Sequence, residues 1–223
     1  MVGDMIESNG IADNYGSSHN RRQHAVPVEP AKISHNILFL QKFFQHGTRI
    51  ASIWPSSRFM ARASIRHAEF SSARCIVELG AGTGPITSEI VKRLNGQTQF
   101  LALERDPDFV QVLTNRFPAS PRVQILQADV GHLDAILNDN GIAPQGVDCF
   151  VSGLGTPSLP ESVRIAMFSA VRKYLRPDGF FSNITEVPLY YLNFYKSIFE
   201  HVSFQFVAFN MPPGGVYHCR GMR

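Results

Sequence analysis

Glu78, Glu104 and Asp129 stand 26 and then 25 residues apart, each at or just past the end of a short apolar run. That interval suits one strand–helix–strand unit repeated, which brings all three carboxylates to the same end of neighbouring parallel strands. Behind the first of them runs Gly80-Ala81-Gly82-Thr83-Gly84-Pro85. Its glycines let backbone approach a ligand with no side chain between them. A dinucleotide fingerprint requires G-x-G-x-x-G; Gly80 and Gly82 fit, but Pro85 takes the third glycine's place, which disfavours NAD. A Walker loop fails as well, because no Gly-Lys-Ser/Thr follows.

The elements that must position these groups read as a strand–helix alternation after Arg74. Strands are expected at Cys75–Leu79, Phe100–Leu103, Val123–Leu126, Val147–Val151 and Phe180–Ile184. Between them helices are expected at Ile86–Leu94, opened by Pro85, then Pro107–Phe117, Leu133–Leu137 and Glu161–Leu175, the last closed by Arg176-Pro177-Asp178-Gly179. A helix over Tyr190–Phe199 and a hairpin of strands near Val202–Phe209 and Val216–His218 complete the chain. The fold class is therefore α/β: a doubly wound, mostly parallel seven-stranded sheet with an antiparallel C-terminal hairpin and N-terminal helices.

With 223 residues, 44% hydrophobic and 17% charged, the chain suits a single folded domain and excludes wholesale disorder. No run approaches the ~18 apolar residues of a spanning helix, and no signal peptide opens the sequence. Cys75, Cys149 and Cys219 are unevenly spaced, which excludes a disulfide framework and a CxxC metal site, so no metal is expected. A cytoplasmic location follows as an expectation.

The net charge of +3 is unevenly spread. Residues 20–74 hold nine Lys/Arg against two acids, whereas residues 75–223 are close to neutral. Three regions are expected: a disordered tail over 1–30, amphipathic and capping helices over 31–70, and the α/β domain over 71–223. In the second region Ile33, Ile37, Leu40 and Phe44 share one helical stripe that Phe39 and Phe43 widen, with Lys42, His46 and Arg49 opposite. Such a helix over 32–50 suits either a core-facing role or an anionic membrane surface. Trp54-Pro55 ends it, and Ser56-Ser57 can cap a following helix that runs to about Ala68.

The E-x-G-x-G-x-G pattern resembles motif I of class I S-adenosylmethionine (SAM) methyltransferases. The resemblance implies that Glu104 accepts the cofactor's ribose hydroxyls, since a carboxylate can hold a vicinal diol by paired hydrogen bonds. It further implies that Asp129 contacts the adenine amino group. Three more segments are similar to a narrower group, the bacterial phospholipid and ornithine-lipid N-methyltransferases: Trp54-Pro55-Ser56-Ser57-Arg58-Phe59-Met60-Ala61-Arg62, Val151-Ser152-Gly153-Leu154, and Asn210-Met211-Pro212-Pro213-Gly214-Gly215-Val216-Tyr217. The likeness spans about residues 32–220. It implies SAM as cofactor, S-adenosylhomocysteine as product, and binding by Ser57, Glu78, Gly80, Ala81, Gly82, Thr83, Gly84, Glu104, Arg105, Asp129, Val130, Ser152 and Gly153.

It also implies an aminolipid substrate and peripheral attachment to the inner face of the membrane through residues 32–50. Members acting on phosphatidylethanolamine read S-G-L-P after strand four, whereas Gly155 follows Leu154 here, which leaves ornithine lipid and phosphatidylethanolamine both open. Methyltransferases of nucleic-acid bases carry an aromatic in that loop to stack on a flipped base, and none is present, so no nucleic-acid partner is expected. An rRNA adenine or small-molecule methyltransferase and a non-catalytic membrane- or RNA-binding module remain the competing readings. The head-group ammonium must lose a proton before its lone pair can attack. Tyr190, Tyr191, Tyr217, His218 and Glu186 are the candidates to take it, and Ser152 can accept a hydrogen bond from the amine. The tyrosines and His218 are equally residues that a core or a strand would use.

Overall fold

The computed structural model of the chain describes residues 55–117, 120–210 and 213–223, with side chains from Arg58 on. The tail over 1–30 and the basic helix over 32–50 lie outside the described residues.

Helix α1 (Pro55–Ser64) leads into β1 (Cys75–Leu79), α2 (Pro85–Val91), β2 (Gln99–Glu104), α3 (Pro107–Arg116) and β3 (Val123–Gln127). A 3-10 turn at Val130–His132 opens α4 (Leu133–Asp139), followed by β4 (Val147–Ser152), a second 3-10 turn (Thr156–Ser158), α5 (Glu161–Tyr174) and β5 (Leu175–Thr185). Helix α6 (Leu192–Ile198) and strands β6 (Phe199–Val207) and β7 (Gly214–Met222) finish the chain. The seven strands form one sheet in the order β3-β2-β1-β4-β5-β7-β6. Strands β1 to β5 pair in parallel, and β7 runs antiparallel to both β5 and β6. The order reverses between β1 and β4, and a doubly wound sheet opens its ligand crevice outside the carboxyl ends of the strands at such a point.

Strand β1 is buried at every position, as a central parallel strand covered on both faces must be. Alternation sends Val77 and Leu79 to one face, with Leu133, Met167, Phe168, Val171 and Tyr195 from α4, α5 and α6. Ile76 goes to the other face, with Ala61, Ile86, Ile90 and Leu113 from α1, α2 and α3. Helix α1 is thus part of the sheet's own core.

Two boundaries differ from the sequence reading in ways with a physical cause. Helix α1 already includes Pro55, so Ser56 and Ser57 lie in its first turn instead of capping it; proline suits a first turn because its missing N–H would be unpaired there anyway. Strand β5 begins at Leu175, upstream of the expected Phe180. Val147 pairs with Leu175 and Cys149 with Phe180, so Arg176–Gly179 form a bulge inside the strand. Arg176 holds that bulge by reaching Asp148 and Asp178. Asp148 also accepts from the backbone N–H groups of Arg74 (2.6 Å) and Cys75 (2.8 Å), tying the start of β1 to β4.

The layers are further joined by a buried carboxylate. Glu89 of α2, 2% exposed, accepts from Arg62 of α1 at 3.1 Å, Arg93 at 2.7 Å and Lys92 at 3.2 Å. Burial alone would raise its pKa, but the hydrogen bonds from Arg93, Arg62 and Lys92 outweigh that and hold it at about 2. A depressed carboxylate stabilises the fold above its unfolded value and loses that contribution as pH falls through its folded one. Glu89→Gln is therefore expected to lower the unfolding free energy by about 1–2 kcal/mol at neutral pH, the cations being partly solvated. In urea unfolding, the gap between variant and parent should persist down to pH 4.5 and close towards pH 2.

Candidate active site

Each predicted binding residue of β1, β2 and β3 stands at a carboxyl end. Glu78 precedes Leu79 on β1, Glu104 closes β2, and Asp129 lies two residues beyond β3. Leu79 pairs with Leu103 on one side and with Ser152 on the other, and Ser152 pairs in turn with Asn183 and Asn183 with Tyr217. One row across the sheet thus carries the polar residues of β4, β5 and β7 up to the glycine turn.

That turn is built from backbone. Gly80, Gly82 and Gly84 adopt φ of 74°, 54° and 82°, the left-handed region that other residues enter at a cost. Gly80 and Ala81 both donate to the Leu103 carbonyl, at 2.9 and 3.0 Å, and Gly84 donates back to Ala81. A Cβ on Gly80 would fall 2.3 Å from Leu154 Cδ2, whereas around Gly82 it would meet nothing within 4 Å. Gly82 is the place where backbone faces open space. Thr83 completes the turn, its carbonyl accepting from Arg116 at 3.3 Å.

The carboxylates differ in what holds them. Glu78 is wholly buried: Oε2 accepts from Thr87 Oγ1 at 2.7 Å, and Oε1 has no partner within the chain. Burial pushes its pKa up to about 8, against the lowering effect of Thr87 and with a smaller push from the Glu104 charge. Glu104 is half-exposed and fixed by backbone: Oε2 accepts from Gly82 N–H at 2.8 Å, while Oε1 accepts from Arg105 at 2.8 Å and Asp106 at 2.9 Å. This orients it across the glycine turn with one acceptor position, on Oε2, left for a ligand hydroxyl. Asp129 Oδ1 accepts from Gly131 N–H at 2.8 Å, Arg105 lies 3.9 Å from its Oδ2, and Val130 is buried beneath. Ser57 lies in α1; its side chain is outside the described residues.

After β4 the predicted Ser152 is buried and joined to residues that sequence reasoning missed. Its Oγ accepts from Leu154 N–H at 3.2 Å and lies 3.2 Å from Thr156 Oγ1, and that hydroxyl donates to Asn183 Oδ1 at 2.6 Å. Since Asn183 Nδ2 donates to the Ile184 carbonyl, its Oδ1 accepts, and the polarity runs from Ser152 through Thr156 to Asn183. The signal for Asn183 was a polar residue near the end of an apolar strand, where function and not packing explains polarity. Gly153 donates to the Leu79 carbonyl at 2.9 Å, and a Cβ on it would strike the Gly80 carbonyl at 2.6 Å.

The tentative catalytic residues separate. Tyr217 shares the row with Asn183 but is buried, with its hydroxyl accepting from the Tyr191 N–H at 3.2 Å; burial raises its pKa. Tyr190 and Tyr191 meet edge to face with centroids 4.9 Å apart, in the segment between β5 and α6, and Tyr190 is 75% exposed. Glu186, just past β5, has its carboxyl pKa raised by partial desolvation. His218 is not brought to the site. It alternates with Tyr217 and Cys219, faces the opposite layer and sits 4.6 Å from the His67 ring. Burial, then the charges of His67, Arg66 and Arg220, lower its pKa to about 4. Among the described residues no group of three or more His, Cys, Asp or Glu has the arrangement of a metal site.

Comparison with known proteins decides the family. The ornithine lipid N-methyltransferase of Singulisphaera acidiphila is 44% identical over 186 residues, 83% of this chain and 96% of that protein. The chain belongs to the ornithine-lipid N-methyltransferase family. The ribosomal RNA adenine dimethylase family model matches residues 52–143, and a probable ribosomal RNA small subunit methyltransferase A of Methanosarcina mazei is 34% identical over 30% of this chain and 24% of that protein. A solved structure of the Burkholderia thailandensis 1,6-didemethyltoxoflavin-N1-methyltransferase, with S-adenosylhomocysteine bound, superposes at a TM-score of 0.60 and 14% identity, covering 89% of this chain and 93% of that one. It shares the class I Rossmann-like fold.

This family member is a SAM-dependent N-methyltransferase, and its own residues fit the cofactor. The open backbone at Gly82 and the Glu104 carboxylate form a crevice with negative charge for a cationic ligand, and Glu78, buried near the end of β1 with one unpartnered oxygen, adds charge only above about pH 8. Gly82→Ala should fold with a loss of about 1 kcal/mol, from its positive φ alone, yet bind S-adenosylhomocysteine at least about tenfold more weakly; Gly80→Ala should lose more stability, through Leu154. Thermal melts and calorimetric titration of both variants check this. For Glu78, deprotonation above about pH 8 strengthens attraction to a cation. The SAM affinity ratio of parent to Glu78→Gln should therefore grow as pH rises from 6.5 to 8.5, because the sulfonium keeps its charge throughout, and a flat ratio would remove Glu78 from the site.

Proposed function

We propose that the chain transfers methyl groups from SAM to the head-group amine of ornithine lipid, at the cytoplasmic face of a membrane. The observation that carries this reading is the 44% identity extending over 96% of an ornithine lipid N-methyltransferase and 83% of this chain, a span long enough to take in β4 and the loop after it. The ribosomal RNA dimethylase match ends at residue 143, before β4 begins, and so concerns the cofactor half. Phosphatidylethanolamine stays the nearest alternative substrate, because it offers the same primary amine on a lipid.

SAM supplies an electrophilic methyl group when bound. Glu78, Glu104 and the Gly80–Gly84 backbone hold and orient it; alignment is the main task when the cofactor already carries the activation. The buried Ser152–Thr156–Asn183 chain fixes the Gly153–Leu154 turn beside the glycine loop, closing that side to water. An amine reaching the crevice from the β5–α6 segment passes Glu186, Tyr190 and Tyr191. In this reading Glu186 takes the ammonium proton, its raised pKa making it a better base than an ordinary carboxylate. The tyrosine faces attract the cationic head group, more so as methyl groups accumulate.

Purified protein given radiolabelled SAM with detergent-dispersed ornithine lipid, phosphatidylethanolamine or ribosomal RNA is expected to label ornithine lipid fastest, in successive products, and RNA not at all. Glu186→Gln should cut kcat about a hundredfold with SAM affinity unchanged. Label in RNA and in no lipid would refute the assignment.

A further inference from the structure

Eight large apolar side chains stand exposed among the described residues, and six of them come from three segments that meet at one corner. Phe59 belongs to α1; Val187, Leu189 and Tyr190 follow β5; Phe206 is the last residue but one of β6 and Phe209 lies in the turn after it. Their meeting point is Gly214, the first residue of β7. A Cβ there would strike the Thr185 carbonyl at 2.5 Å, Met60 Cε at 2.9 Å and Glu186 Cα at 3.4 Å. The corner thus borders the carboxyl end of β5, on the side by which an amine would enter.

Its parts are organised as a surface. The Phe59 and Phe209 rings lie 5.7 Å apart, and with Phe206 they line a groove of about 590 Å³. The charged residues lining that groove are Arg62, Arg66 and Arg93; Arg62 and Arg93 share the buried carboxylate of Glu89, so the groove carries a net positive charge of about two. Arg58 and Arg62 are spaced one turn apart on α1, and Arg66 stands in the turn that follows. On the far side of Gly214, Leu189 holds a φ of 62°, a costly conformation for a bulky residue, and is 58% exposed there. A soluble surface has no use for strain that presents a leucine to water.

We propose that this corner docks on an anionic bilayer. Phe59, Phe206, Phe209, Val187, Leu189 and Tyr190 enter the interface, and Arg58, Arg62 and Arg66 lie over lipid phosphates. Clustered apolar side chains rimmed by cations match both layers of such a surface. The contact uses residues outside the segment over 32–50, and it sets orientation: the carboxyl ends of the strands face the lipid, so a head-group amine reaches the crevice without its acyl chains leaving the bilayer. The inference rests on the lipid reading of the substrate.

The test uses the full chain, with flotation on vesicles of phosphatidylcholine with and without phosphatidylglycerol. Phe206→Ser/Phe209→Ser should lower partition onto the anionic vesicles by at least about tenfold. Its affinity for S-adenosylhomocysteine and its turnover of detergent-dispersed lipid should match the parent's. As a second measurement, Phe209→Trp in a Trp54→Phe background should be quenched by brominated acyl chains. Unchanged partition, or no quenching, overturns the proposal, as does a parent chain that dimerises through this face or binds RNA while ignoring vesicles. The two readings fail separately. Lipid methylated in detergent, with vesicle binding that survives the substitutions, removes only the docking surface. Vesicle binding lost in the variant, with no lipid methylated by the parent, removes only the substrate.

Discussion

The site depends on how closely two backbone turns can approach. Gly80 and Gly153 follow β1 and β4, the strands between which the sheet reverses its order, and a side chain on either would strike the other turn or its Leu154. With both as glycine, the Leu79 carbonyl accepts from Gly153 and the Leu103 carbonyl from Gly80 and Ala81. The carboxyl ends of β2, β1 and β4 are thereby laced chiefly by main-chain hydrogen bonds. A crevice so walled is stiff, and Gly82, at its open edge, is free to meet a ligand by backbone alone. Glu104 reads the same turn from the other side through Gly82 N–H. Ligand recognition and loop geometry are therefore one structure, which is what catalysis by alignment requires.

Two buried glutamates on the α1–α2 side of the sheet show how environment divides their roles. Glu89 collects Arg62, Lys92 and Arg93 and stays ionised; its function is to hold α1 and α2 together. Glu78 has only Thr87 and an unpaired oxygen, an arrangement that a folding pathway alone would not favour, since an unpaired buried oxygen costs about 1–3 kcal/mol. The expense is reasonable where a cationic ligand completes the pairing. The same contrast explains why α1 is docked firmly enough to place Phe59 and Met60 beside the mouth.

Much of this was legible beforehand, for identifiable reasons. Strand β1 was readable over Cys75–Leu79 because a buried parallel strand is a short apolar run, and its glycines mark where it stops. The 26- and 25-residue intervals sufficed to bring Glu78, Glu104 and Asp129 to one end of the sheet. The start of β5 was not legible: Arg-Pro-Asp-Gly has the composition of a turn, and only Asp148, distant in sequence, makes it a bulge within a strand. The Thr156–Asn183 bond joins residues 27 apart and has no local pattern. His218 was misplaced by adjacency. In a strand its neighbour Tyr217 points to the other face, so residues next to each other in sequence belong to different layers.

The halves of the sheet carry different information. The likeness to ribosomal RNA enzymes covers residues 52–143 and ends just before β4, whereas the likeness to the lipid enzyme takes in 83% of the chain and so runs on past β4. The first half builds a cradle that any SAM-dependent reaction can use, so it discriminates poorly between substrates. In the reading proposed above, substrate choice resides beyond Val147, in the loop after β4, the segment after β5 and the end of β6. Those stretches lack an aromatic in the β4 loop for a base to stack on, and instead place exposed aliphatic and aromatic side chains around Gly214. A polar nucleotide gains little from such a rim, while a lipid whose acyl chains remain in a membrane gains a great deal.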